Sequence, residues 1–189
     1  MINYPGLIKF LLKAGSLKSI KRSGWVREKM PNPETVAEHS WRVAVLALIL
    51  GKELKLNTDQ LVKMALVHDL EEVETNDPVT QRGKKQVSVH CQKSEEEIIK
   101  KMLSQVPDQN KIFSLWEAHI PENGPQRTKY SDLLYQIGKV ATCWQAFEYE
   151  LDGANPKRLD EFWENAYTHC KQPILVNLLR SMEKLRRKK

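Results

Sequence analysis

Cysteine is scarce in this chain, and long apolar runs are absent. Cys91, Cys143 and Cys170 are scattered over 189 residues and odd in number. No CxxC pair sets up a zinc finger, and the pattern fits thiols buried in a reducing compartment. No apolar stretch approaches the roughly 18 residues a membrane span needs. The start, Met1 to Gly6, shows no charged leader followed by a signal-length apolar segment, so a cytoplasmic location is expected. Segments that alternate apolar and polar residues are also missing, as are internal repeats and low-complexity tracts. What these absences leave is one soluble, all-helical unit.

The composition agrees. Hydrophobic residues make up 41% of the chain and charged residues 29%, an ordinary balance for a globular domain. The length suits a single domain over 1–189, with its core at about 5–185. Net charge is +6, with a basic tail at Leu185-Arg-Arg-Lys-Lys189. A basic surface suits a phosphate-bearing partner, or is simply a solvated face with a frayed end. No basic helix is interleaved with aromatics, so nucleic acid is not expected as a partner.

The predicted fold is all-α, a single bundle of roughly seven to nine helices. Leu7 to Leu12 open it, interrupted at Gly15-Ser16, and a polar connection over Lys18–Pro33 follows. Thr35-x-x-Glu38 is a capping-box pattern that starts the next helix, and Thr58 is expected to cap the one after. Gln81 to Lys85 and Pro121 to Pro125 read as loops. Between them come a helix reaching Ser104 and a shorter one opened by Pro107-Asp108. A long helix covers about Thr128–Leu151, and the last two cover about Lys157–Cys170 and Pro173–Arg187.

The chain is organised around Met64-Ala-Leu-Val-His-Asp-Leu-Glu-Glu72, an apolar run that ends abruptly in His68, Asp69, Glu71 and Glu72, with Asp77-Pro78 just beyond. His39 stands on the preceding helix. Two imidazoles and a carboxylate suit Mn²⁺, Fe²⁺, Co²⁺, Ni²⁺ or Zn²⁺ better than Ca²⁺. Neighbouring helical residues point about 100° apart, so His68 and Asp69 reach one ion only beside the helix end. An open coordination position would hold water, and the cation would acidify it and neutralise a phosphoryl oxygen, which is hydrolytic chemistry. Taken singly, each residue has a plainer reading: a core histidine for His39, a local hydrogen bond for His68-Asp69, a turn at Asp77. His90, His119 and His169 show no partner spacing and receive no role.

Taken in order, Arg22, Trp25, Thr35-x-x-Glu-His-Ser40, His68-Asp-x-x-Glu72, Asp77 and Gln145-Ala-Phe-Glu-Tyr-Glu150 closely resemble the HD-domain phosphohydrolases, in particular the small 5′-deoxynucleotidase branch. The resemblance implies that His39, His68 and Asp69 are metal ligands and that Glu72 orients or deprotonates the attacking water. It implies a carboxylate at Asp77 near the leaving group or sugar, a phosphate-binding Arg22, and a Trp25 whose bulk disfavours a 2′-hydroxyl. It also implies a nucleotide substrate and a homodimer. The chain departs from the family at one position. Members carry a fourth metal-binding Asp followed by Lys, and counting back from Gln145 puts Gly138 there, followed by Lys139. Asp132 lies six residues upstream, about 240° around the helix and about 9 Å along it, so it replaces that ligand only with a shift in register.

Three readings therefore stand open. The first is a metal-dependent phosphomonoesterase acting on deoxynucleoside 5′-monophosphates. The second is a degenerate relative that binds a nucleotide or a protein without turnover. The third keeps the fold but acts on a cyclic or pyrophosphorylated nucleotide.

Overall fold

A computed structural model describes residues 2–78, 92–120 and 128–187. The loops expected at Gln81–Lys85 and Pro121–Pro125, together with His90 and Cys91, lie outside the described residues. Ten α-helices are described: α1 (Tyr4–Gly15), α2 (Ser23–Arg27), α3 (Val36–Glu53), α4 (Thr58–Val67), α5 (Glu72–Thr75), α6 (Gln92–Leu103), α7 (Gln109–Glu117), α8 (Lys129–Leu151), α9 (Pro156–His169) and α10 (Pro173–Arg186). Eight of them have nine residues or more, in line with the predicted bundle. The other two, α2 and α5, are single turns inside stretches that carry no helical periodicity of their own. Among the described residues there is no strand, and no helix is long and apolar enough to cross a membrane.

Local chemistry sets the helix starts. Thr35 and Glu38 form the expected capping box. The Glu38 N–H donates to Thr35 Oγ1 at 3.1 Å, and the Thr35 N–H donates to Glu38 Oε2 at 2.6 Å, so two of the free donors of α3 are satisfied reciprocally. The cap of α4 is not Thr58 but Asn57, whose Oδ1 accepts from the Gln60 N–H at 3.2 Å. Thr58 is the first helical residue. Asn precedes Thr in cap preference, and the one-residue shift follows. Thr128 caps α8 by accepting from the Ser131 N–H at 3.1 Å.

The core has two parts. The larger joins α3, α4 and α8–α10 through Val43, Ala47, Leu61, Met64, Ile137, Val140, Leu159, Leu175 and Leu179. The smaller gathers Leu17, Val36, Leu70, Ile99, Leu103 and Trp116. Each helix that matters for the site contributes to both. Along α3, Val36 belongs to the smaller cluster and Val43 to the larger, with His39 between them. Leaving α4, Ala65 belongs to the larger and Leu70 to the smaller, with His68 and Asp69 between them. The polar site therefore sits on the seam where the two apolar clusters meet.

The polar connection before α3 is fixed by long-range bonds. An isolated antiparallel bridge pairs Lys21 with Thr35. Within it, the Arg22 N–H donates to the Glu34 carbonyl at 2.9 Å and the Val36 N–H to the Ile20 carbonyl at 2.9 Å. Tyr149 on α8 reaches the same strip. Its hydroxyl accepts from the Glu34 N–H at 2.8 Å and donates to the Asn32 carbonyl at 3.0 Å. At the other end of the chain, the first arginine of the basic tail is structural. Arg186 pairs with Glu150 and Asp160, both at 2.6 Å. Cys143 and Cys170 are buried free thiols.

Candidate metal centre

The capping box fixes the register of α3 and turns His39 inward, where it is 3% exposed. His68 is the last residue to keep helical angles at the end of α4, after which the chain turns through Asp69 to Glu71 into α5. This turn is the room the sequence argument required. The ligand atoms of His39, His68 and Asp69 all lie within 4.8 Å of one another, and the two imidazole centroids are 5.8 Å apart. Among the described residues these three form the only such group.

The donor chemistry fits a divalent cation. His68 Nδ1 lies 2.7 Å from the Ala65 carbonyl oxygen, a bond only an N–H can make, so in the neutral ring Nε2 carries the lone pair; without a cation, burial works against the His68 charge but Asp69 raises its pKa. That Nε2 is 3.2 Å from Asp69 Oδ2. An outer hydrogen bond that fixes the tautomer of a ligating histidine is the usual support of such sites. Asp69 Oδ2 and Glu72 Oε2 are both buried without a hydrogen-bond partner, and orphaned polar atoms of this kind are costly unless something binds them. Burial holds His39 well below its usual range, aided by the nearby Arg22 charge, and a neutral imidazole is the form that ligates. Burial opposes ionisation of Asp69, but the His68 and Arg22 charges outweigh it and keep its carboxyl well below the usual carboxylate range.

Arg22 connects the trio to the other acids. Its Nη1 lies 2.7 Å from Asp77 Oδ1, 3.6 Å from Asp69 Oδ2 and 3.9 Å from Glu72 Oε1. Burial works against its charge, but Asp77, Asp69 and Glu72 raise its pKa and keep it a cation. Asp77 is held again from α2, accepting from the Ser23 N–H at 2.7 Å and the Ser23 hydroxyl at 2.5 Å. Burial, and then the Asp69 charge, push the Glu72 carboxyl up to about 10 and that of Glu71 up to about 8. Without a cation beside them both hold their protons at neutral pH; a cation would favour the ionised forms. Glu71 is not solvent-facing but accepts from Trp116 Nε1 at 2.7 Å.

The structure thus brings together His39, His68, Asp69, Glu72, Asp77 and Arg22. Trp25 lies behind them, 1% exposed, its ring against Tyr149 and Phe162 and its Nε1 donating to Glu34 Oε2 at 3.0 Å. Two residues near the trio carry no signal in the sequence. Glu34 is 4% exposed, with Oε2 lying 3.9 Å from His39 Nδ1, and burial pushes its carboxyl up to about 7. His119, at the end of α7, sets its ring edge-on to His68 at 6.1 Å between centroids, with Nδ1 against the Trp116 carbonyl. Burial, and then the His68 charge, hold its pKa down at about 4. Neither residue has partner spacing along the chain, because the partners come from other helices.

On α8 the departure from the family pattern has a clear physical form. A Cβ built on Gly138 would meet nothing within 4 Å, so a side chain is missing where there is space for one. Asp132 does not supply a replacement. Its Oδ2 accepts from Gln136 Nε2 at 2.8 Å, and Gln136 Oε1 in turn accepts the Lys171 and Gln172 N–H groups at 2.7 and 2.9 Å. Lys139, beside Gly138, lies over the Tyr135 ring at 4.9 Å, and burial and the Arg22 charge lower its pKa.

The chain resembles several known proteins. The HD domain family matches residues 14–176. The 5′-deoxynucleotidase HDDC2 of Bos taurus is 32% identical over 179 residues, spanning 94% of this chain and 84% of that protein. A conserved hypothetical protein from Pyrococcus furiosus superposes with a TM-score of 0.72 at 32% identity, over 95% of this chain and 99% of the other. A predicted metal-dependent phosphohydrolase from Magnetospirillum magnetotacticum shares the fold, with a TM-score of 0.67 at 17% identity over 100% of this chain and 97% of that one.

Proposed function

Since the chain belongs to the HD-domain phosphohydrolases, we propose that it removes the 5′-phosphate from deoxynucleoside monophosphates with the help of a divalent transition metal, Mn, Co, Fe, Ni or Zn. The observation that carries this reading is the convergence of His39, His68 and Asp69 within 4.8 Å beside a buried Arg22 that spans Asp69, Glu72 and Asp77. A cation held by those three residues supplies Lewis acidity toward a phosphoryl oxygen and an acidified water.

The chain's own groups do the rest. Arg22 takes the phosphate, for which its planar fork of donors is suited, and substrate binding frees it from Asp77. Glu72 takes the proton of the attacking water through Oε2, the oxygen with no partner in the free protein. Asp77, aimed by Ser23, assists the leaving 5′-oxygen or holds the sugar. Trp25 is too buried to line the sugar broadly; its indole N–H holds Glu34, whose carbonyl accepts from the Arg22 N–H. A homodimer is part of the same proposal, supported by Trp41, Leu48 and Ile49, which stand exposed on α3.

Gly138 supports the second reading, a nucleotide-binding relative without turnover. One experiment separates the two. Metal content is determined on the purified protein, and phosphate release is followed over a panel of deoxynucleoside monophosphates with Mn²⁺ or Co²⁺. Release that disappears in H68A and D69A upholds the enzyme. Nucleotide binding with no release under any of the metals upholds the second reading.

A further inference from the structure

His68 and His39 are supported differently, and the difference points to Glu34. His68 has its outer nitrogen bonded to a backbone carbonyl one turn back. His39 has no such carbonyl. Its Nδ1 is buried, has no hydrogen-bond partner, and lies 3.9 Å from Glu34 Oε2. A carboxylate facing the outer nitrogen of a ligating histidine holds the ring at its working angle and makes the opposite nitrogen a stronger donor.

Glu34 is itself built into place with unusual thoroughness. Its N–H is bonded to the Tyr149 hydroxyl, its carbonyl accepts from the Arg22 N–H, and its Oε2 accepts from the Trp25 indole. Its other oxygen, Oε1, has no hydrogen-bond partner and faces Arg42 Nε at 3.7 Å. Four residues, Arg22, Trp25, Arg42 and Tyr149, thus converge to keep one acid in the interior, 1% exposed at its side chain. A purely structural acceptor for the Trp25 N–H would not need a charge there, since an amide oxygen serves equally well.

We propose that Glu34 is a positioning residue for the metal centre, drawing the His39 Nδ1 proton into a hydrogen bond and leaving Nε2 as the ligating nitrogen. It rests on the reading of His39 as a ligand, but not on which substrate is turned over. At 3.9 Å the two atoms are within about 1 Å of hydrogen-bond length, so the bond would need only a small rotation of the ring. Trp25, on this account, helps set the metal centre from behind through the oxygen it holds.

The test is E34Q, which keeps size and an oxygen for the Trp25 N–H while removing the negative charge. Three quantities are compared with the parent: thermal unfolding of the metal-free protein, Co²⁺ affinity by calorimetry, and the visible absorption bands of bound Co²⁺. The expected result is an unchanged unfolding temperature, Co²⁺ binding weaker by about tenfold or more, and shifted Co²⁺ bands. Unchanged Co²⁺ affinity and unchanged bands overturn the proposal, as does a parent protein that binds no Co²⁺. If E34Q does not fold, ¹⁵N spectra of the Zn²⁺-loaded parent decide. A protonated His39 Nδ1 upholds the proposal, and a Nδ1 bound to the ion overturns it. A parent that binds metal, loses affinity in E34Q and hydrolyses no nucleotide leaves this inference standing and removes the proposed activity alone.

Discussion

The stretch from the end of α4 through Asp77 and the middle of α8 make an instructive contrast. In the first, six ionisable residues, His68, Asp69, Glu71, Glu72, Glu74 and Asp77, fall within ten positions. Each has an assigned neighbour: Ala65 for His68, Arg22 for Asp69 and Glu72, Trp116 for Glu71, Lys13 for Glu74, and Arg22 with Ser23 for Asp77. In the second, the position that carries a carboxylate in the family is a glycine with open space beside it. The nearby acid is committed to Gln136, and the adjacent Lys139 is repelled by Arg22. On the proposed reading, coordination would come from α3 and the end of α4 alone. The trio and Glu72 stay gathered although the facing wall is emptied, because the two walls are held by separate sets of bonds.

The largest effect is expected from breaking the crowded wall. H68A or D69A removes one of the three proposed protein ligands, and metal affinity should fall by more than the roughly 10–100-fold that outer-shell changes cost; calorimetry with Mn²⁺ reads this directly. Filling the emptied wall is next. G138D should raise Mn²⁺ affinity about tenfold or more without lowering the unfolding temperature, since the new Cβ meets no neighbour and mid-helix Asp is no worse than Gly. Unchanged affinity would mean that position 138 does not reach the ion, and the contrast between the walls would lose its chemical meaning.

A third effect is a pH dependence of the metal-free protein. His119 titrates near 4 when folded but near 6.5 when unfolded. Between those values the unfolded chain binds more protons, so the His119 contribution to stability is present above pH 6.5 and is lost as pH falls toward 4. Denaturant midpoints of the parent should therefore drop over this range more steeply than those of H119Q. The smallest effect is a control outside both walls. N57A removes the α4 cap and should cost about 1 kcal/mol of stability while leaving Mn²⁺ affinity as it was. A lost affinity there would show that the start of α4, and not only its end, governs the ligands.

Much of this arrangement was legible before any coordinates. The capping box at Thr35 and Glu38 is a four-residue pattern, and His68-Asp69 followed by Glu72 lies within one turn and a half, so local spacing suffices for both. The helices of the bundle follow from their apolar periodicity. What escaped has partners far off in the chain. Glu34 takes meaning from Trp25, His39 and Tyr149, His119 from His68, and Glu71 from Trp116 on α7. Trp25 was read as a pocket residue because the family pattern gives its place in order, not its depth. Gln136 carries no signal in the sequence, yet it is 1% exposed and caps the turn between α9 and α10 with its side-chain oxygen.

The Tyr149 hydroxyl, clamped between Asn32 and Glu34, spans separations of 117 and 115 residues. Closing a loop of that size is slow relative to forming a helix. On the ribosome residue 34 is made long before residue 149, and α3 can coil with its capping box complete while the strip in front of it is still loose. The surroundings of His39 are then finished only when α8 docks. A chain that ends short of α8 carries the histidines and the aspartate but lacks the Tyr149 clamp on the strip that leads into His39.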